Sequence, residues 1–245
     1  MPREQESAEG GRAKTEAQRA EEQRQAARKR NVTVSVTVIG VFALVVAVVF
    51  AITRFGSDTG RSAAVSAGES QFVRADSHRL QSAPDGKVTL VEFLDFECEA
   101  CRAAFPAVEQ LRKDYAGRVT FVARYFPLPG HFNAERAARA VEAAARQGKF
   151  EAMYQRMYET QTQWGEKQVP ADDVFRGFAQ SLGLDMAAWD KAYADPATLA
   201  RIKKDQADGQ AVGVEGTPSF FLNGKKIEPA SIDDFKAALD AALAQ

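Results

Sequence analysis

The sequence predicts an α/β domain carried behind one membrane-spanning helix, and three observations predict it. Val32 to Thr53 is a run of about 22 apolar or weakly polar residues without a charge. Val88–Phe96 reads as a buried strand and leads straight into Cys98-Glu99-Ala100-Cys101. After a long helical stretch, β signals return as a hairpin with one amphipathic helix behind it. The resulting order is β-α-β, a block of helices, β-β, α, with no internal repeat.

The totals bound the function. Of 245 residues, 45% are apolar and 27% charged, as in ordinary globular protein. A formal net charge of −1 gives no sign of a nucleic-acid partner. The only two cysteines sit three positions apart, and a pair that close cannot brace a fold of this size.

Residues 1–31 are rich in Arg, Glu, Gln and Ala and have no aromatic residue, so they read as a disordered or loosely helical tail. As a helix, residues 32–53 would span roughly 33 Å, enough to cross a bilayer core. Arg28, Lys29 and Arg30 abut its N-terminal end, and only Arg54 and Arg61 lie close beyond the other. The positive-inside rule then puts the tail in the cytoplasm and everything after Arg54 outside. A cleaved signal peptide is the rival reading. The apolar run is longer than a usual signal core, however, and the only A-x-A-like site, Val65-Ser66-Ala67, lies far beyond it. The segment therefore reads as an uncleaved anchor, residues 54–75 as a flexible tether and residues 76–245 as one outer domain.

Within that domain, Val88–Phe96 is apolar on both alternating faces, as a central strand should be. Phe105, Val108 and Leu111 then recur at helical spacing, with Pro106 expected to kink the helix. Val119–Phe126 is a second strand. A helical stretch follows with Asn133 as its expected N-cap and Gly148 as its C-cap. Further apolar stripes run over Phe150–Tyr158, read as core, and Val174–Leu182. Asp195-Pro196 carries the cap-then-N1 signature of another helix. Ser219–Leu222 and Lys225–Ile227 are strands joined by an Asn223-Gly224 turn of type I′, and Ser231 caps the last helix.

The chemistry concentrates at the cysteines. A helix start offers unpaired N–H groups and the positive end of the macrodipole, both of which favour thiolate over thiol. Cys98, the more exposed position of such a pair, is the expected nucleophile, and Cys101 the buried resolving thiol. Half a zinc site and an inert pair are the alternatives, but no second cysteine pair exists and the only histidines are His78 and His131. Glu92, inside the apolar strand, is costly to ionise there unless it reaches solvent at the strand end. Asp95, Glu97 and Glu99 are expected to form a solvated acidic rim, and His131 to serve a loop or helix-start role.

Strand–Cys-x-x-Cys–helix, Pro106 five residues after Cys101, and Gly216-Thr217-Pro218 ahead of a hairpin and final helix resemble the thioredoxin superfamily. The long separation of Cys101 from Pro218, filled by helices, resembles its DsbA-like branch, as do Val91–Cys98 (VEFLDFEC) and Phe126–His131 (FPLPGH). The resemblance extends to bacterial membrane-anchored members. It implies a thioredoxin-like fold with a helical subdomain inserted at about residues 133–212. It also implies a cis-proline at Pro218, with the Thr217 backbone free to pair with an extended substrate, and Glu92 as the proton relay for Cys101. The expected function is extracytoplasmic disulfide exchange on unfolded or extended proteins, in the direction of disulfide formation. No cofactor or metal is needed, and a membrane redox partner would reoxidise the pair. Reductase, isomerase and non-catalytic peptide-binding chaperone are the alternatives. Oxidising members of the branch carry a histidine in the two-residue spacer, whereas here the spacer is Glu99-Ala100, which leaves the redox poise open.

Overall fold

Alternation along one strand sets the architecture. In β2 (Thr89–Leu94) all but Thr89 are buried, with Val91 and Phe93 in one apolar cluster and Leu90 and Leu94 in another. Successive strand residues face opposite ways, so a strand of this pattern must be covered on both sides.

The structure, a computed structural model, describes residues 70–245. The expected tail (1–31) and membrane-spanning helix (32–53) lie outside the described residues. Among those described, no helix is long and apolar enough to cross a membrane.

The sheet has five strands in the order β1-β3-β2-β4-β5, comprising β1 (His78–Gln81), β2, β3 (Thr120–Tyr125), β4 (Ser219–Leu222) and β5 (Lys225–Ile227). β2 and β3 are parallel, with Glu92 opposite Ala123, and the other pairings are antiparallel. Helix α1 (Glu99–Asp114) makes the crossover between β2 and β3, with Pro106 inside it. Between β3 and β4 stand five helices: α2 (Ala134–Ala145), α3 (Phe150–Trp164), α4 (Asp172–Ser181), α5 (Met186–Ala194) and α6 (Pro196–Ala211). α7 (Ile232–Leu243) closes the chain.

The local signals account for most of these boundaries. Asp195 accepts from the Ala197 N–H at 2.8 Å, with Pro196 in the first turn of α6. Ser231 accepts from the Asp234 N–H. Asn223 and Gly224 have φ of 49° and 79°, the left-handed pair that a type I′ turn requires. Asn133 departs from expectation, because its side chain makes no cap hydrogen bond to α2. Its amide instead donates to the Lys167 and Val169 carbonyls, and its oxygen accepts from the Ala171 N–H, pinning the α3–α4 loop.

The larger core joins α1, α7 and the inserted helices to one sheet face, with Met153, Tyr154, Met157 and Tyr158 of the α3 stripe buried in it as expected. On the other face α6 comes down onto the sheet at Gly209, where a Cβ would stand 2.7 Å from the Phe126 ring and 3.0 Å from Phe93. Arg124 of β3 is fully buried beneath α6. Its Nε and Nη2 donate to Asp205 and Asp208 at 2.8 and 2.6 Å. Its Nη1 donates to the Gln71 and Phe72 carbonyls at 2.9 and 2.7 Å. Arg74 adds a bidentate pair to Asp208, and Phe72 packs on Phe221, so the segment entering the domain is fastened to it.

Candidate active site

Cys98 is the N-cap of α1, with extended backbone (φ −68°, ψ 121°), at the point where the sheet hands the chain to the helix. Both cysteines are free thiols. Cys98 keeps 7% of its surface exposed and Cys101 none, the asymmetry expected of the pair. The Cys98 thiol is lowered to about 5, chiefly by the hydrogen bond from Cys101, with burial opposing and the Thr217 side chain and the Cys101 and Ala100 backbone N–H groups assisting. Burial pushes the Cys101 thiol well above the ordinary range, and its bond to Cys98 and the neighbouring Glu92 push it further.

The Thr217–Pro218 peptide bond is cis, and it faces the cysteines. Cys98 Sγ lies 3.3 Å from the Thr217 carbonyl oxygen, and the Thr217 side chain, its hydroxyl buried, stands beside it. Thr217, on the N-terminal side of the cis bond, thus reaches Cys98 across 119 positions of sequence.

Glu92 shares the face of β2 that looks toward α1, and it is buried rather than reaching solvent at the strand end. Burial raises its carboxyl to about 8, with Glu109 and Cys98 adding like-charge repulsion. Beside it lies a cavity of about 10 Å³ lined by Leu80, Val108, Phe121 and Phe220, about the room one water needs. The folded domain holds this proton up to about pH 8, whereas the unfolded chain releases it near 4.5. At this carboxyl the folded state therefore binds more protons in that window, and its contribution to stability falls as pH rises through it. Between pH 5 and 7 this contribution is expected to fall by about 2–3 kcal/mol, while Cys98, ionised only in the folded state over the same window, changes in the opposite direction. Glu92→Gln should therefore gain about 2–3 kcal/mol more stability from pH 5 to pH 7 than the unaltered protein does. Urea unfolding of the reduced protein at both pH values checks this; parallel slopes for the two proteins would contradict it.

The acidic residues correct the sequence reading. Asp95 and Glu97 are 2% and 1% exposed, not a solvated rim; of the three, Glu99 alone is exposed. The Asp95 carboxylate accepts from the Glu97 and Leu128 N–H groups at 2.8 and 2.9 Å and lies 2.7 Å from His131 Nδ1. Its carbonyl accepts from the Cys98 N–H at 3.2 Å. The Glu97 carboxylate accepts from the Asn133 and Glu166 N–H groups. Each buried carboxylate is thus surrounded by donors from loops far along the chain. Gln161 of α3 is a further residue without a sequence signal: its amide donates to the Phe96 and Cys98 carbonyls at 2.7 and 2.9 Å. Among the described residues, no group of three or more His, Cys, Asp and Glu side chains is placed to hold a metal.

Residues 76–241 match the family model described as thioredoxin. A thioredoxin-like oxidoreductase from Silicibacter pomeroyi superposes with a TM-score of 0.59 at 29% identity, covering 71% of this chain and 96% of that one. BdbD from Bacillus subtilis superposes with a TM-score of 0.60 at 22% identity, covering 67% and 92%. Alpha-DsbA1 from Wolbachia pipientis gives 0.61 at 17% identity, covering 71% and 94%; these last two likenesses speak for the fold. Among sequence relatives, the Na(+)/H(+) antiporter NhaA 3 of Salinispora tropica is 37% identical over 174 residues, 70% of this chain and 26% of the antiporter. NhaA 1 of a Mycobacterium species is 33% identical over 159 residues, 63% of this chain and 25% of the relative. The chain spans about a quarter of the length of these two relatives.

Proposed function

We propose, from the premise that this chain belongs to the thioredoxin family, that it is a DsbA-like thiol–disulfide oxidoreductase forming disulfides in extended or unfolded proteins. The observation that carries this reading is the inequality of the two thiols: Cys98 is lowered to about 5 and keeps a small exposed edge, while Cys101 is raised and fully enclosed. A stable thiolate favours the reduced pair, which makes the disulfide form an oxidant.

In the forward direction a substrate thiolate attacks Cys98 Sγ of the Cys98–Cys101 disulfide. The S–S bond breaks and Cys101 leaves with the electron pair. Glu92, protonated at neutral pH, supplies the proton that Cys101 takes up, because a buried thiolate beside it is strongly disfavoured. A second substrate thiolate then attacks the substrate sulfur of the mixed disulfide, and Cys98 is released as thiolate. Two electrons have moved from substrate to the pair, and a membrane redox partner must remove them. Thr217 and Pro218 hold the incoming peptide, the Thr217 backbone pairing with an extended strand beside Cys98.

The place of this work is outside the cytoplasmic membrane. The charge-free run of residues 32–53 and the basic cluster Arg28-Lys29-Arg30 support a single-pass anchor with a cytoplasmic N-terminus.

A trap tests the reaction. With Cys101→Ser, mixed disulfides through Cys98 should accumulate when the protein meets a reduced, unfolded, cysteine-containing substrate, and they should dissolve in dithiothreitol. A variant that binds such substrates without forming any covalent adduct would make this a peptide-binding chaperone instead.

A further inference from the structure

We propose that His131, held by Asp95 in the loop after β3, supplies a positive charge that adds to the Cys101 hydrogen bond in keeping Cys98 ionised. This rests on Cys98 being the exchanging thiol. The two-residue spacer between the cysteines, Glu99-Ala100, holds no cation, so any such charge must come from elsewhere in the fold.

The geometry places His131 one residue away from the thiol's own backbone. Its Nδ1 lies 2.7 Å from Asp95 Oδ2, and the carbonyl of that same Asp95 accepts the Cys98 N–H at 3.2 Å. The imidazole side chain is 22% exposed and its other nitrogen, 3.9 Å from Glu166 Oε1, is beyond hydrogen-bond reach of that carboxylate. The groups facing the ring are Asp95 and Glu97 from the segment before α1, Cys98 from the α1 terminus, and Glu166 from the turn after α3. All of them favour the imidazolium. The hydrogen bond to Asp95 comes first in raising the ring to about 9, against burial, and the Cys98 thiolate adds to the rise. Coupling between two titrating groups is mutual: whatever the thiolate gives the imidazolium, the imidazolium returns to the thiolate.

Asp95 explains why the charge is needed. A buried carboxylate whose carbonyl touches the nucleophile's N–H would, if left unneutralised, drive the thiol up by like-charge repulsion. His131 neutralises that charge where it stands. It is therefore a positioning residue for charge, acting on Cys98 through space and through Asp95, and it does not touch the reacting sulfur.

The test is a double-mutant cycle on the reduced full-length protein, reading the Cys98 ionisation midpoint from thiolate absorbance against pH and the disulfide equilibrium against glutathione. His131→Gln keeps a hydrogen-bond donor toward Asp95 and removes the charge. Its midpoint should rise by about one unit, and its equilibrium should turn about tenfold less oxidising, equivalent to about 30 mV. Adding Asp95→Asn should bring the midpoint back toward that of the unaltered protein, because the charge to be neutralised is gone. A lowered melting temperature with an unmoved midpoint in His131→Gln would overturn the proposal and reduce His131 to a structural tie. Should that variant fail to fold, the ring is followed by NMR in the unaltered protein. Titration well above 6.5, falling when the pair is oxidised, is expected; titration near 6.5 in both states overturns the proposal. If instead Cys98 and Cys101 form no reversible disulfide with glutathione, the proposed function fails, while the effect of His131 on the Cys98 midpoint can still be read.

Discussion

Cys98→Ala is expected to fold and to be inert in disulfide exchange. With one of the only two cysteines gone, no internal disulfide can form, and the remaining sulfur is fully enclosed and held protonated. Catalysed oxidation of a reduced two-cysteine peptide by glutathione disulfide should drop to the uncatalysed rate, roughly a thousandfold or more. Structure should survive, since the Cys98 sulfur interacts only with groups of the site itself, the Cys101 thiol, the first N–H groups of α1 and Thr217, and alanine leaves the helix start in place. Circular dichroism and melting temperature separate lost chemistry from lost fold. Residual turnover within tenfold of the unaltered protein would mean that exchange does not run through this sulfur.

Arg124→Ala is expected to be the most damaging single change to stability away from the cysteines. Its guanidinium is wholly buried and joins Asp205, Asp208 and the carbonyls of Gln71 and Phe72. Removing it strands two carboxylates and two carbonyl groups beneath α6, and breaking a buried ion pair from one side costs roughly 3–5 kcal/mol. Arg201 and Arg74 would still touch Asp205 and Asp208, which keeps the loss within that range. Urea unfolding followed by the fluorescence of Trp164 and Trp189, both buried, provides the measurement. A loss below about 1 kcal/mol would show that water or neighbouring arginines replace it fully.

What the sequence discloses about this domain follows the reach of each interaction. The strand ahead of the cysteines, the Asp195 and Ser231 caps and the Asn223-Gly224 turn are written in four to nine consecutive residues, so they can be read one window at a time. β1 was not expected because HRLQ at a sheet edge buries only Leu80, leaving no alternation to notice. α5 passed unnoticed for a similar reason: its nine residues bury only Trp189 and Ala192. The failure at the site is more instructive. Three carboxylates around a thiol look like a wet rim because burying them alone would be prohibitive. Two are buried because Leu128, His131, Asn133 and Glu166 deliver donors from loops that only the finished fold brings near. Gln161 and Asn133 serve likewise as long-range ties, and neither stands in a pattern that announces it.

The fastening of residues 70–74 has a mechanical consequence. A pull arriving from the N-terminal side of the domain meets Arg74–Asp208 and the Arg124 contacts to Gln71 and Phe72 before it meets any strand of the sheet. Load is passed into α6 and β3 through these ion pairs and hydrogen bonds, and into β4 through the Phe72–Phe221 packing. The segment works as a strain relief, taking a tug on the chain ahead of it first through charged ties to α6 and β3.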